Sequence, residues 1–183
     1  MNITLRNVRL SFPALFEPKT MPGAKKAKYS ACFILDKKTD AAQIATIQKA
    51  FVDIAKESFK GKIPPDTCLR RGDDPKKIDL DGYGPGVMFV SASNERKIPV
   101  VDRDKTPLGA EDNRPYAGCY VNVVVRLWAQ DNDYGKRINA QLRAVQFARD
   151  GEPFGDKGVD PDEVFEDVSG ENSGTSDEGA GLM

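Results

Sequence analysis

Residues 119–148 read CYVNVVVRLWAQDNDYGKRINAQLRAVQFA, two alternating segments joined by the turn DNDYG at 131–135. Side chains of a strand point alternately to its two sides, so each segment sorts its residues into two faces. One face is apolar, with Val121, Val123, Val125, Leu127 and Ala129 from the first segment and Ile138, Ala140, Leu142 and Ala144 from the second. The pattern predicts a long β-hairpin with this face on a core.

The opposite face of the hairpin is mostly polar and contains no acid. It carries Tyr120, Asn122, Val124, Arg126 and Trp128, then Arg137, Asn139, Gln141 and Arg143. Flat rings can stack on bases while cations hold phosphates, which is how proteins bind single strands without reading their sequence. We interpret this face as nucleic-acid-binding. The alternative is that the long loops cover it and that both rings belong to the core, but three arginines would then be costly to bury.

The charge of the chain is segregated, although its net value is only −1. Residues 1–155 hold 26 Lys and Arg against 19 Asp and Glu, whereas residues 156–183 hold one against nine. A basic body followed by an acidic end is typical of a nucleic-acid-binding protein with an interaction tail. The end is rich in Gly, Ser, Asp and Glu, so we expect a domain at 1–155 and a disordered acidic tail at 156–183.

Several classes of function are disfavoured by what the chain lacks. It has no histidine, and its three cysteines, Cys32, Cys68 and Cys119, are widely spaced. Neither a zinc site nor a disulfide framework is indicated, and the commonest general base is missing. There is no phosphate-binding loop, secretion signal or apolar run that could span a bilayer. We expect a cytoplasmic protein that is not an enzyme and that uses no cofactor or metal.

The order of elements before the hairpin predicts the fold class. A strand from Met1 to Phe12 slips in its alternation near Asn7 and ends at Pro13, and a second covers 29–35. A helix follows, from a cap at Thr39 or Asp40 to about Lys60. An irregular segment at 63–86 precedes short strands at 87–93 and 98–101. We predict a mainly β, five-stranded Greek-key barrel of the OB type with one interposed helix; a β-sandwich is the alternative.

The chain resembles the single-stranded-DNA-binding proteins of tailed phages. The resemblance covers most of residues 3–155 and is carried by PYAGCYVN at 115–122, RLWAQDN at 126–132 and YGKRIN at 134–139, with RLSF at 9–12, LFEP at 15–18 and RRGD at 70–73. It implies an OB-fold, related in shape to the phage T7 protein, that coats single-stranded DNA during replication or recombination in the host cytoplasm. The preference for DNA over RNA is implied by the resemblance alone. Self-association along the strand stays open.

The resemblance also implies an acidic tail that recruits replication or recombination proteins. Members of this functional class often end in an aromatic residue, whereas this chain ends in Gly-Leu-Met. The apolar residues set among the acids are therefore the candidates for partner contacts, and Phe165 is a substitute anchor. These residues are Val164, Phe165, Leu182 and Met183.

Candidate DNA contacts outside the middle of the hairpin are cations and tyrosines. At the hairpin turn they are Tyr134 and Lys136; in the loops they are Lys25, Lys26, Lys28, Arg70, Arg71, Lys76, Lys77, Tyr83 and Tyr116. Phe89 lies in an apolar strand, so we assign it to the core. The loop cations interleave with Asp73, Asp74, Asp79 and Asp81, which weakens their case.

Two other functions stay open at this point. The four loop aspartates suggest a magnesium-dependent nuclease, because clustered carboxylates can hold the metal that cleaves a phosphodiester. The chain lacks the glutamate that closes an EF-hand loop. The second alternative is a structural or adaptor protein in which the acidic tail binds a partner and the hairpin forms a dimer surface.

Overall fold

The computed structural model describes residues 1–155 and 161–170 of the chain. The strands are β1 (Asn2–Lys19), β2 (Lys28–Asp36), β3 (Asp66–Thr67), β4 (Leu69–Arg71), β5 (Val87–Asn94), β6 (Val100–Val101), β7 (Tyr120–Asn132) and β8 (Gly135–Arg149). The helices are α1 (Ala41–Ser58) and the four-residue α2 (Pro161–Val164), with a 3₁₀ turn at Ala110–Asp112.

Five of the strands close a barrel. β1 pairs antiparallel with β2 and β7, β2 with β5, and β7 with β8. The barrel closes because β5 also pairs with β8, in parallel. This connectivity confirms the predicted OB-type barrel with its long C-terminal hairpin, and the β-sandwich alternative is wrong.

The interior of the barrel is filled by the side chains that point inward from alternate positions of the strands. On the hairpin, Val121, Val123 and Leu142 are almost completely buried. Helix α1 adds a stripe at helical spacing, with Ile47 and Phe51 packed in the same cluster. The helix is two residues shorter at its end than predicted. Just beyond it, Gly61 takes a positive φ and its N–H donates to the Ala55 carbonyl, as a terminating glycine does.

The first strand is longer than the sequence predicts. We expected it to end at Pro13, but β1 continues to Lys19. A bulge between Ser11 and Ala14 in the pairing with β2 accommodates the proline, which has no N–H to give to a ladder. The slip in alternation near Asn7 is also a bulge, because the pairing with β7 shifts between Leu5 and Val8.

A bulge in β8 corrects one assignment in the hairpin. We predicted Ala144 on the apolar face, but Val124 pairs with Ala144 whereas Val125 pairs with Leu142, so Arg143 is an extra residue. The extra residue reverses the alternation beyond it. Val145 and Phe147 therefore point into the core, and Ala144 lies on the outer side, only half-buried.

The segments between the barrel strands contain two short strands that the sequence did not reveal. β3 pairs in parallel with β8, and β4 pairs with β5, so residues 66–71 cross from the hairpin to the third barrel strand. The strand predicted at 98–101 shortens to Val100–Val101, although Ile98 is buried. Neither helix of the described residues is long and apolar enough to cross a bilayer.

After β8 the chain returns across the barrel as a strap, residues 151–155. The guanidinium of Arg9 donates to the carbonyls of Gly118 and Glu152 and lies 4.3 Å from the ring centroid of Phe154. The N–H of Gly155 donates to Asp81. Gly155 thus lies beside the loop that follows β4.

Gly118 is the residue that lets the strap pass. Its φ is +103°, and an added Cβ would collide with the carbonyl oxygen of Glu152. We expect Gly118→Ala to lower the free energy of unfolding by about 2 kcal/mol or more, measured by urea denaturation. Gly23→Ala is the matched control, because Gly23 also has a positive φ but open space around it. Equal losses from the two substitutions would contradict the close approach of the strap.

Candidate nucleic-acid interface

The distal half of the hairpin presents the predicted polar side chains as cross-strand pairs. Arg126 lies opposite Gln141, and Trp128 lies opposite Asn139. Their inward neighbours are buried, so these side chains point away from the core. Trp128 is 43% exposed as a residue, which leaves a large apolar side chain in contact with solvent. The structure therefore brings these four residues together on one open surface.

The arginines of this surface differ in their partners. Arg126 is exposed and has no ion-pair partner among residues 1–155 and 161–170. Arg137 has its Nε 3.6 Å from a carboxylate oxygen of Asp66, and Arg143 donates to Gln141 at 3.3 Å. An exposed ion pair contributes little, so Arg137 remains available to another anion.

The hairpin tip is open to solvent. Tyr134 is 80% exposed, and its neighbour Lys136 is also exposed. Asp131 and Asp133 stand beside them, so the tip carries mixed charge. Within the tip, the side-chain oxygen of Asn132 accepts from the N–H of Tyr134 and closes the turn.

A polar row crosses the outer surface of four barrel strands. The strand pairings place Ser30 of β2 opposite Ser93 of β5, Ser93 opposite Gln141 of β8, and Gln141 opposite Arg126 of β7. Each is exposed or half-buried, whereas the neighbouring Ala31, Ala92 and Ala140 are buried. We call these four residues the outer row. It joins the hairpin surface to β2 and β5.

The loop between β1 and β2 borders the outer row with lysines. Lys25, Lys26 and Lys28 are all exposed, and Lys28 precedes Ser30 by two residues on the same strand face. Only Lys26 has an ion-pair partner in the described residues, Glu95 at 3.8 Å. In OB-folds, the second and third strands with the loops between strands 1–2 and 4–5 form the usual oligonucleotide surface. Here those parts are β2, β5, the hairpin tip and the loop between β1 and β2, which we call the lysine loop.

Two predicted stacking residues are occupied by other contacts. The guanidinium of Arg149 lies 3.7 Å from the ring centroid of Tyr120, and that of Arg9 lies 5.7 Å from it. Tyr116 donates its hydroxyl to Asp150 at 2.6 Å, and burial together with this carboxylate raises the pKa of the phenol. Tyr116 is hydrogen-bonded to Gly151 of the strap, and Tyr120 lies against Arg9, which binds the strap. Sequence alternation could not reveal these contacts, because the partners are distant in sequence. Asn122 is likewise engaged, with Gln146.

The loop cations are divided between free and paired. Arg71 is held by Asp73 at 2.7 Å, and this hydrogen bond lowers the pKa of the aspartate. Arg70 and Lys76 are exposed and have no ion pair in the described part of the chain. Arg70 and Arg71 line an open cleft of about 610 Å³ with Asp66, Asp73 and Asp74. Acids and cations alternate there, so the cleft is less cationic than the hairpin surface.

A second group of aromatic rings lies on the outer side of β1, β2 and β5. Tyr83 packs edge-on against Phe89, with ring centroids 5.2 Å apart, and donates its hydroxyl to Ser11. Burial raises the pKa of Tyr83. Phe89 is buried as predicted, although it lies beneath Tyr83 rather than inside the barrel.

Phe12 stands beside Tyr83 and is half exposed. The sequence predicts a strand that ends at Pro13, so Phe12 is not among the predicted contacts. A proline that follows a strand pattern can instead mark a bulge, and this was the available signal.

The carboxylates of the 73–81 loop do not converge. Among the described residues, no three potential metal-ligating side chains come together. Asp73 binds Arg71, Asp74 accepts from the backbone N–H of Lys76, and Asp81 accepts from Gly155. The cysteine thiols also belong to no such group of metal ligands among the described residues. Burial raises the pKa of Cys68 to about 12 and that of Cys119 to about 11.

Part of the acidic segment falls within the described residues. Val164 and Phe165 are 54% and 75% exposed. Leu182 and Met183 lie outside the described residues, as do residues 156–160 and the rest of 171–183.

The family comparison covers nearly the whole chain. Residues 1–176 match the family described as "Enterobacter phage Enc34, ssDNA-binding protein". The chain belongs to this family. The family is one of single-stranded-DNA-binding proteins and not of enzymes, which confirms the resemblance and removes the nuclease alternative.

The chain is also similar to individual phage proteins. A protein of Acyrthosiphon pisum secondary endosymbiont phage 1 named p50 is 41% identical over 181 residues, covering 92% of this chain and 95% of its own length. The single-stranded DNA-binding protein from bacteriophage Enc34, solved in complex with ssDNA, has a TM-score of 0.74 and 31% identity, covering 84% of this chain and 89% of that one. Gp2.5 of bacteriophage T7 has a TM-score of 0.54 at 13% identity over 91% and 97%, which supports the fold alone.

Proposed function

We propose that this chain binds single-stranded DNA without sequence preference and coats it. The observation that carries the proposal is the outer side of the hairpin, where the exposed Trp128 lies beside an Arg126 that has no ion-pair partner in the described residues. A large exposed ring next to an uncompensated cation matches a base and its phosphate. A family relative solved in complex with ssDNA supports the same ligand.

The mechanism combines stacking with charge neutralisation. Bases stack on Trp128 and on the tip residue Tyr134, which every base permits because every base has a π face. Phosphates bind Arg126, Lys136, Arg137 and Arg143, and the displaced counterions favour binding at low salt. Asn139 and Gln141 supply amides beside the strand. No part of this scheme reads base edges, so affinity depends little on sequence.

The outer row extends the proposed binding surface from the hairpin to the lysine loop. Ser93 and Ser30 carry short side chains, so a strand can approach the sheet closely between Arg126 and Lys28. Lys25 and Lys26 then hold the phosphates that pass the loop. Arg70, Lys76 and Lys77 act at the margin, and Arg71 contributes less because Asp73 neutralises it.

We further propose that the chain serves phage DNA replication or recombination in the host cytoplasm. Residues 1–155 form the binding domain, and residues 156–183 act as an acidic tail. A partner protein would contact the exposed Val164 and Phe165, together with Leu182 and Met183. Self-association along the strand would make the coating cooperative.

The acidic tail competes with DNA for the cationic surface in this proposal. It carries nine acids against one lysine, which makes it a polyanion like the ligand. We expect a chain of residues 1–155 to bind single strands at least about threefold more tightly than the whole chain at low salt. The difference should shrink as salt rises. Fluorescence anisotropy of a labelled oligonucleotide at two salt concentrations measures it.

A full-length variant with its tail acids changed to Asn and Gln is the control for tail charge. If it binds as tightly as residues 1–155, charge causes the masking. If the whole chain and residues 1–155 bind equally at low salt, the tail does not mask the surface.

A mobility-shift titration tests the proposed function as a whole. Oligonucleotides of mixed sequence, single- and double-stranded, are titrated at two salt concentrations. We expect retarded complexes with single strands, a weaker response with duplex, and a steep loss of affinity as salt rises. Binding that is absent at low salt, or that prefers duplex, would contradict the proposal and favour the adaptor alternative.

A further inference from the structure

Phe12 combines two unfavourable properties, a left-handed backbone and an exposed aromatic side chain. Its φ is +48°, in the left-handed region that residues with a bulky side chain rarely occupy. The residue is 51% exposed, so this conformation does not bury it in the core. Backbone strain that persists at an exposed aromatic residue suggests a function, because the surrounding structure must hold it in place.

The ring of Phe12 has a rigid support. Its centroid is 6.3 Å from that of Tyr83, which is fixed by the hydrogen bond to Ser11 and by the edge contact with Phe89. The exposure of the three rings rises from the buried Phe89 through the half-buried Tyr83 to Phe12. Such a graded stack leaves the outermost ring open and holds it in one orientation.

A cation lies at the same ring. The ammonium of Lys77 is 4.7 Å from the centroid of Phe12. No carboxylate lies within ion-pair distance of Lys77 in the residues that the structure describes. The pair therefore repeats, on another part of the barrel, the combination of exposed ring and uncompensated cation found at Trp128 and Arg126.

The position of this pair relates it to the outer row. Ser11 pairs with Cys32 of β2, and Cys32 pairs with Ser91 of β5. Cys32 is two residues from Ser30, and Ser91 is two residues from Ser93. Both therefore lie on the same side of the sheet as the outer row. Phe12 therefore borders the far end of the outer row, at the opposite side of the surface from the hairpin.

We propose that Phe12 is a second base-stacking residue and that Lys77 holds the adjoining phosphate. The inference rests on the proposed function, because the ligand is the same single strand. It assigns the strand a path from Trp128, across the outer row, to Phe12. The bulge between Ser11 and Ala14 then has a function, because it turns the ring of Phe12 out of the strand alternation and toward the DNA.

The test uses substitutions that suit the left-handed backbone. Phe12→Asn and Phe12→Gly remove the ring, and both residues accept a positive φ more readily than Phe, so the fold should survive. The probe is oligo(dT) of about 20 nucleotides, longer than the roughly 4–16 nucleotides that one OB-fold covers. We expect binding at least about fivefold weaker, with a thermal midpoint equal to or above that of the parent chain. Val52→Ala, at an exposed apolar residue of α1, is the matched control.

Lys77→Gln gives an independent readout. Losing one phosphate contact should reduce the slope of log affinity against log salt by about 0.7, whereas Phe12→Asn should leave the slope unchanged. If both Phe12 variants and the Lys77 variant bind as the parent does while Trp128→Ala is weakened, this inference is wrong and the proposed function stands. If Trp128→Ala also binds normally, the proposed hairpin surface fails as well.

Discussion

Replacing Trp128 and Arg126 together by Ala is expected to weaken binding to single-stranded DNA by about a hundredfold, or roughly 3 kcal/mol. A stacking ring contributes about 1–3 kcal/mol per base, and the guanidinium adds a phosphate contact. The fold should be unaffected, because both side chains are exposed and Arg126 has no ion-pair partner in the described residues. Fluorescence anisotropy with a labelled oligonucleotide measures the loss, and thermal unfolding checks the fold.

The matched control for this double variant is Lys49→Ala with Val52→Ala on α1. It also removes one exposed cation and one exposed apolar side chain, but from a surface that we place outside the DNA path. We expect it to bind as the parent chain does. A folded hairpin variant that binds no differently from this control would show that the wrong face was chosen.

Leu142→Ala is expected to lower the free energy of unfolding by about 2–5 kcal/mol. Leu142 is fully buried and lies just before the bulge at Arg143, so its loss opens a cavity inside the closed barrel. Urea denaturation gives the value. Val124→Ala, on the outer side of β7 and half-buried, is the control and should cost less than about 1.5 kcal/mol. Comparable losses at the two sites would contradict the assignment of inner and outer sides.

The hairpin could be predicted because a period of two is strongly specified where one side of a strand is buried. The prediction for the hairpin was wrong only at Ala144. In the sequence the alternation continues through Ala144, but one extra residue in β8 reverses it, and no residue type marks that bulge. The extension of β1 past Pro13 was missed for a different reason: a proline ordinarily ends a strand, and here a bulge makes it tolerable.

The candidate site was only partly readable from the sequence, because much of it depends on strand register. Trp128 and Arg126 share a face by simple alternation, so they were found. Ser30 and Ser93 join them only through pairings between β2, β5 and β8, which the sequence does not state. Tyr120 shares the same alternation, yet Arg149 covers its ring. Long-range contacts therefore separate the open part of the face from the covered part.

Trp128 is the only tryptophan of the chain, so its fluorescence reports directly on the proposed surface. Titration of the full-length protein with oligo(dT) should quench the indole emission in a saturable manner, with the same midpoint as binding measured by anisotropy. Added salt should restore the emission as the complex dissociates. If anisotropy shows a saturated complex while the emission of Trp128 is unchanged, the strand does not lie on the hairpin.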